Sequence, residues 1–404
     1  MTRGNIKINN PGRFLGNGSI SYEKLDAAIK RVSDKLSSKL EQYRTGFVKR
    51  AVREDGSNRY YEIVENSDWQ HGMHTGTLIL AYHLTGEHKF LDAAIDHLPL
   101  YRKRVDEKYK LQDHDVGFVV VPSCVALYKL TGNEEARRIA LDAAEYFYDY
   151  SYSEMGGFII RSAQELPKET ACRTMMDTLM NAPLFFWAYE ETGEEKYFKA
   201  AKSQLDITEK YLIRKDGSSY HHYQFDVDTH KPVRGVTFQG NRDESTWSRG
   251  HAWGVYGFAM GYDYTGDKNI LAVQNDTAAY ALNNLPDDCI PYWDYDFTNG
   301  SDEPRDTSAG IITACGLLEA SEYMTEDNPT AEIYKNAAYM LIEAVIDKYA
   351  QDVDDEGKEY DGLFWGCTGA RRMNLGIEGC ALYGDYFYAE ALLRLKNPEW
   401  KRLW

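Results

Sequence analysis

The strongest constraint on how this chain folds is a turn that recurs four times. Ala81-Tyr-His-Leu-Thr85-Gly86, Leu127-Tyr-Lys-Leu-Thr131-Gly132, Ala188-Tyr-Glu-Glu-Thr192-Gly193 and Gly261-Tyr-Asp-Tyr-Thr265-Gly266 share one grammar. Each ends an apolar helix with glycine where left-handed backbone is favoured, and an acidic or amide side chain then opens the next helix. Glu319 to Pro329 reads as a fifth, degenerate copy. A helical hairpin cannot bury its apolar face alone, so repeated hairpins stack.

Periodicity near 3.6 residues predicts twelve helices, at about 22–46, 71–84, 89–104, 117–130, 134–150, 173–190, 195–213, 247–264, 267–284, 307–323, 329–349 and 379–396. Helices before a Thr-Gly turn are apolar nearly all round, as from Met175 to Trp187. Those after it are amphipathic, with Lys196, Lys199, Lys202 and Glu209 as an example. Apolar helices belong inside and amphipathic ones outside. The expected fold is therefore all-α, an (α/α)6 toroid of six inner and six outer helices with small β-hairpin additions in its loops. One catalytic domain over residues 1–404 is expected, with 1–20 as an N-terminal extension.

Turns from inner to outer helices are short, whereas the returns are long: about 47–70, 105–116, 151–172, 214–246, 285–306 and 350–378. Alternation places every long loop on one face, at the N-terminal ends of the inner helices. Loops of that length carry function, and helix N-termini favour an anion. The net charge of −17 argues against nucleic-acid or anionic-membrane partners. No run of residues approaches a membrane span, and the N-terminus lacks an apolar signal region. Six cysteines without a CxxC pair read as reduced, buried thiols of a cytoplasmic protein.

Along the loop face, the first inner helix opens on Asp68-Trp69-Gln70-His71-Gly-Met-His74. Trp69 is a candidate pocket wall. The His71 and His74 spacing suits a metal, but no third ligand is evident, so a polar-rim or ring-stacking role is expected, with no metal and no cofactor. The second opens on Gln112-Asp113-His114-Asp115, where Asp115 is either a helix cap or an inward-facing chemical group. The third places Asp177 inside apolar helical text, either paired with Arg173 four residues back or kept protonated by its surroundings. A carboxylic acid protonated near neutrality suits proton transfer.

The fourth loop alternates through Tyr220-His221-His222-Tyr223 and Arg234-Gly235-Val-Thr237, which predicts a hairpin over the site. It leads into Gln239-Gly-Asn-Arg-Asp-Glu-Ser245-Thr246-Trp247-Ser-Arg249-Gly-His251-Ala-Trp253. Ser245 or Thr246 is expected to cap the next helix, on which Arg249 and Trp253 share a face. An indole beside a guanidinium suits an acidic sugar; the alternative is two core tryptophans and a surface ion pair. The last openings supply Asp306-Thr-Ser308 and Trp365-Gly-Cys367-Thr-Gly-Ala370-Arg371-Arg372. Arginines 161, 173, 234, 242, 249, 305, 371 and 372 gather on or near this face, which points to an anionic substrate.

Taken together, the chain resembles the unsaturated glucuronyl hydrolases of glycoside hydrolase family 88 over nearly its full length. The resemblance rests on His114-Asp115-Val-Gly-Phe, Met176-Asp177-Thr-Leu-Met-Asn-Ala-Pro-Leu, Tyr220-His221, Gly235-Val-Thr237, Gln239 through Trp253-Gly, and Tyr383-Gly-Asp385-Tyr-Phe-Tyr. It implies removal of a Δ4,5-unsaturated uronic acid from lyase-generated oligosaccharides by hydration of a vinyl ether. It further implies that Asp177 gives a proton to C4 and then helps water attack C5, while Asp115 grips ring hydroxyls. His221, Gln239, Trp247, Arg249 and Trp253 would shape the pocket, with Gly235 and Thr237 touching the sugar from the loop. Two departures stand out. Ala163 follows Ile160-Arg161-Ser162 where the family often has tryptophan, and Cys367 and Ala370 replace polar side chains, leaving Arg371 and Arg372 as candidate sulfate contacts.

The expected substrate is an anionic unsaturated disaccharide of the chondroitin, hyaluronan or heparin type. An unsaturated rhamnogalacturonyl hydrolase on the same toroid would instead prefer pectin fragments. A sugar epimerase would need acid and base histidines on separate inner helices, whereas His221 and His222 are adjacent. A non-enzymatic repeat scaffold would show no turnover.

Overall fold

A computed structural model describes residues 3–16, 18–51, 56, 58–151, 172–226, 228–325 and 327–404. All four Thr-Gly turns have the same construction. Gly86, Gly132, Gly193 and Gly266 sit at φ of 75°, 68°, 72° and 63°, a region that side-chain-bearing residues avoid. Their amides donate to the carbonyls of Tyr82, Tyr128, Tyr189 and Tyr262. The threonine explains the rest of the motif. Thr192 Oγ1, for instance, donates back to the Ala188 carbonyl at 2.7 Å and accepts the Glu194 amide at 3.1 Å. One hydroxyl thus satisfies a helix-end carbonyl and an amide of the following turn.

The chain runs α1 (Tyr22–Thr45), β1 (Phe47–Ala51), β2 (Tyr60–Val64), α2 (His71–Thr85), α3 (His88–Asp96), α4 (Leu98–Asp106), α5 (Val116–Val120), α6 (Ala126–Thr131) and α7 (Glu134–Ser151). It continues through β3 (Arg173–Met175), α8 (Pro183–Thr192), α9 (Glu195–Tyr211), β4 (His222–Phe225), β5 (Pro232–Val236), α10 (Ser248–Thr265), α11 (Lys268–Asn283), α12 (Thr307–Ser321), α13 (Pro329–Lys348) and α14 (Leu382–Lys396). Helices α2, α5–α6, α8, α10, α12 and α14 are buried along most of their length and form the inner ring. The ring closes where α14 packs against α2. The amphipathic α1, α3–α4, α7, α9, α11 and α13 clothe it, giving the (α/α)6 toroid. Among the described residues, no helix is long and apolar enough to cross a membrane.

Three expected helices are interrupted, each for a local reason. The outer helix predicted at 89–104 breaks at His97, because Pro99 lacks an amide and opens α4. The inner helix at 117–130 contains a wider turn over Val121–Val125, beside Pro122. The inner helix at 173–190 does not begin at Arg173. Residues Arg173–Met175 are a strand paired antiparallel with β4, and Met176–Met180 form a 3-10 turn before α8. The expected hairpin of β4 and β5 is present, so with β3 it makes a three-stranded sheet.

The N-terminal residues are fastened rather than loose. Arg3 donates to the Glu209, Ile213 and Arg214 carbonyls, and the Gly4 and Ile6 amides share the Asp276 carboxylate. At the other end of the chain Trp404 is 1% exposed and stacks on Phe387 at 5.7 Å, below Phe118. Phe118 in turn supports Trp69 and Trp253 on the loop side.

Candidate active site

Asp177 lies in the 3-10 turn, not in a helix, and its position is set by the sheet. The Met176 amide donates to the His221 carbonyl at 3.1 Å, so the Asp177 turn starts where β3 leaves β4. His221 is consequently brought to face it, with Nε2 at 4.0 Å from Asp177 Oδ1. Neither atom has a hydrogen-bond partner among the described residues, though both are buried. Of the two alternatives for Asp177, pairing with Arg173 does not appear among the ion pairs of the described residues; Arg173 lies over the Phe238 ring at 4.8 Å. Burial raises the Asp177 carboxyl above its ordinary range, against the opposing pull of the His114 charge.

The His221 tautomer follows from its neighbours. Its Nδ1 accepts from the Phe238 amide at 3.3 Å and lies 3.2 Å from Thr237 Oγ1, which itself accepts the Gly240 amide at 2.7 Å. The Thr237 hydroxyl proton is therefore free to point at Nδ1, and the ring proton belongs on Nε2, toward Asp177. Burial holds the ring well below the usual histidine range, so it is neutral. A neutral N–H and a carboxyl separated by 4.0 Å leave room for a third polar group between them.

Asp115 immediately precedes α5 but makes no side-chain cap. Its carboxylate lies 3.3 Å from His114 Nε2, while His114 Nδ1 pairs with Asp113. Burial alone would strip the proton from His114, but Asp115 and Asp113 hold it well above the usual histidine range. Burial raises Asp115, again against the His114 charge. Ligand atoms of these three residues lie within 4.8 Å of one another, making them the cluster among the described residues with metal-binding spacing. Both imidazole nitrogens are turned to carboxylates, however, so the cluster neutralises itself internally. His71 Nδ1 instead accepts the Ser67 and Asp68 amides, and His74 packs among Tyr43, Phe47 and His97, a ring-stacking role.

One wall of the site is a continuous stack. Trp69 lies parallel to Tyr383 at 5.7 Å, the Arg249 guanidinium sits 4.6 Å from both Tyr383 and Trp247, and Trp247 meets His221 at 4.6 Å. Arg249 is buried and ion-paired to Asp306 at 2.5 Å, so it is not the surface pair that spacing left open. It also donates to the carbonyls of Thr368 and Gly369 at 2.5 and 2.6 Å. Gln239 Nε2 reaches the same Gly369 carbonyl at 3.1 Å, tying two loops together. Trp253 is one layer deeper, between Phe118 and Phe387 and 1% exposed. Helix α10 starts at Ser248 with Trp247 at its cap, so neither Ser245 nor Thr246 caps it; Ser245 Oγ donates to Asp294 at 2.6 Å instead.

Gly235 has a packing reason of its own, since a Cβ there would lie 2.3 Å from the Tyr220 ring. Arg372 reaches the Thr237 carbonyl at 3.4 Å, and Arg371 pairs with Glu303 at 3.1 Å. Several of the gathered arginines are ion-paired: Arg234, Arg242 and Arg305 pair with Asp243, Asp296 and Asp288. Arg161 and Ala163 lie outside the described residues. Trp69, Asp115, Arg173 and Met175 line a cleft of about 510 Å³ together with Asp113 and His114. Sequence reasoning assigned no role to Tyr383, His114 or Asp306, although all three stood in the motifs it singled out.

The arrangement offers a buried acid, a neutral N–H donor, a second carboxyl and an aromatic wall with a guanidinium in it. The model of Glycosyl Hydrolase Family 88 matches residues 40–373. The unsaturated chondroitin disaccharide hydrolase of Streptococcus pneumoniae is 35% identical over 98% of each chain. The unsaturated glucuronyl hydrolase of a Bacillus species is 36% identical, over 85% of this chain and 90% of its own. In structure, the unsaturated glucuronyl hydrolase of Streptococcus agalactiae superimposes over 100% of both chains, with a TM-score of 0.91 and 32% identity. A variant of that protein, solved with dGlcA-GalNAc6S, matches over the same extent with a TM-score of 0.85 and 30% identity.

Proposed function

The chain belongs to glycoside hydrolase family 88, and on that premise we propose that it is an unsaturated glucuronyl hydrolase acting through a single catalytic domain over residues 1–404. Its substrates are Δ4,5-unsaturated disaccharides released by lyases from glycosaminoglycans of the chondroitin, hyaluronan or heparin type. The observation that carries the proposal is the facing pair of buried atoms, Asp177 Oδ1 and His221 Nε2, neither with a hydrogen-bond partner among the described residues.

In this reading, Asp177 is protonated when substrate arrives, because burial disfavours its charged form. It delivers that proton to C4, and positive charge develops over C5 and the ring oxygen. Water adds at C5 and its proton returns to Asp177. The hemiketal then opens and the partner sugar leaves. Catalysis by a positioned acid of this kind is worth about 10²–10⁴-fold. Asp115 holds ring hydroxyls and, with His114, sets the local charge. His221 donates through Nε2 to an oxygen of the sugar. Trp69 and Trp247 line the ring faces, and Trp253 supports them from behind. Arg249, already paired to Asp306, gives the wall its positive potential rather than a free fork. Gly235, Thr237 and Gln239 shape the hairpin side, and Arg371 and Arg372 border the region where a sulfate would lie. The six cysteines are all buried thiols outside any disulfide, which supports a reducing, cytoplasmic setting.

The test is loss of the ultraviolet absorbance of the C4–C5 double bond in unsaturated chondroitin, hyaluronan, heparin and pectin-derived disaccharides. Turnover of a glycosaminoglycan disaccharide is expected. Preference for the pectin-derived disaccharide would move the assignment to rhamnogalacturonyl hydrolysis.

A further inference from the structure

Arg104, on α4, is 3% exposed and enters none of the ion pairs among the described residues. Burying a guanidinium without a carboxylate is costly unless its donors are fully used. Here they are. Nε donates to the Tyr109 carbonyl at 3.1 Å and Nη2 to the Lys110 carbonyl at 3.0 Å. Nη1 donates to Asn66 Oδ1 at 2.8 Å and to the Asp68 carbonyl at 2.9 Å. One planar fork therefore joins two loops that are distant in sequence.

Each loop delivers a side chain to the same cleft. The first runs from β2 into α2 and presents Trp69; the second runs from α4 into α5 and presents Asp113, His114 and Asp115. The second loop is strained, with Lys108 and Lys110 at φ of 51° and 49°, where non-glycine residues are disfavoured. A loop in that conformation keeps it only if its surroundings hold it there. Two of the three carbonyls that Arg104 binds, those of Tyr109 and Lys110, lie inside the strained stretch. On the far side of Arg104 lies a second cavity of about 490 Å³, lined also by Asn66, Lys103 and Tyr109.

We infer that Arg104 is a positioning residue, whose buried fork fixes the spacing between the Trp69 wall and the Asp115 carboxyl across the substrate cleft. The inference rests on the glycosidase reading for its kinetic consequence, but its structural content does not depend on it. Lysine keeps the charge at this position and cannot serve four acceptors in one plane. Arg104 lines both the cleft and the second cavity, so alanine leaves a hole that opens to both and admits a small guanidinium ion.

The experiment uses the full chain as wild type, Arg104→Lys and Arg104→Ala, with folding checked by circular dichroism. Amide hydrogen exchange is followed at residues 66–70 and 107–116, and at α10 and α12 as references. Exchange in both loops is expected to rise roughly tenfold or more while the references stay unchanged. On an unsaturated chondroitin disaccharide, kcat per folded molecule is expected to fall roughly tenfold or more, with a smaller change in KM. Methylguanidinium is expected to restore part of kcat to Arg104→Ala and to leave wild type unaffected. Unchanged exchange in the two loops would overturn the inference, as would a kcat within about twofold of wild type in both variants. Should Arg104→Ala not fold, Arg104→Lys decides on the same two readouts. A wild type inert on every disaccharide would defeat the glycosidase reading alone, since exchange still reports on the fork.

Discussion

The chemistry proposed at the level of single residues depends on what surrounds Asp177, not on its being an acid. The same carboxyl at the surface would keep its ordinary value; here burial raises it, against the His114 charge, and the neutral His221 beside it supplies no compensating charge. Activity should therefore fall on the alkaline side, as pH rises through the raised Asp177 value and the acid is lost. A kcat/KM profile measures this, and Asp177→Asn should abolish that limb with the rate. His221→Gln, which keeps an N–H donor without a titrating ring, should retain more activity than His221→Ala. Gly235→Ala is expected to lower thermal stability, because its Cβ would press into the Tyr220 ring. Several of these residues could be found from sequence because a carboxylate in apolar text, or a Trp-x-Arg-x-x-x-Trp run, is chemically conspicuous. Tyr383 was not, since one more tyrosine in an apolar helix looks like core. Arg104 was invisible for the opposite reason: a charge on an amphipathic outer helix looks solvated.

Among elements, the Thr-Gly turns were legible because their signal is local. Glycine supplies the left-handed φ and threonine the two hydrogen bonds, all within seven residues. Gly193→Ala should cost roughly 1 kcal/mol, seen as a lower unfolding temperature, with kcat unchanged because the turn lies on the face away from the site. The break at His97 was also available in the sequence, in Pro99. The strand at Arg173–Met175 was not. Its apolar text suits helix, and it is extended only because β4, some fifty residues later, pairs with it: Met175 opposite His222. Non-local pairing overrides local preference there. That override is functional in consequence, because it sets the acid-bearing turn against His221.

For the molecule as a whole, closing the ring is the central structural event. Glu319 on α12, Arg394 and Glu390 on α14, Tyr256 on α10 and Arg402 form one buried network that pins these inner helices. Burial alone would raise the Glu319 carboxyl, but Arg402 and Arg394 hold it down at about 2. A depressed carboxyl stabilises the fold at all pH values above its unfolded range. That contribution is lost as pH falls from about 4.5 toward about 2, because the unfolded chain then takes up the proton first. Acid unfolding followed by circular dichroism should show this window, and Glu319→Gln should be less stable at neutral pH, since it leaves two buried guanidinium groups short of a partner.

The most direct measurement is the absorbance of an unsaturated chondroitin disaccharide with wild type and Asp177→Asn side by side. The account predicts steady loss of the double-bond absorbance with wild type, and a rate reduced by about 10²–10⁴-fold in a variant that folds as well. Full activity in Asp177→Asn, or an inert wild type on all the glycosaminoglycan disaccharides, would contradict it.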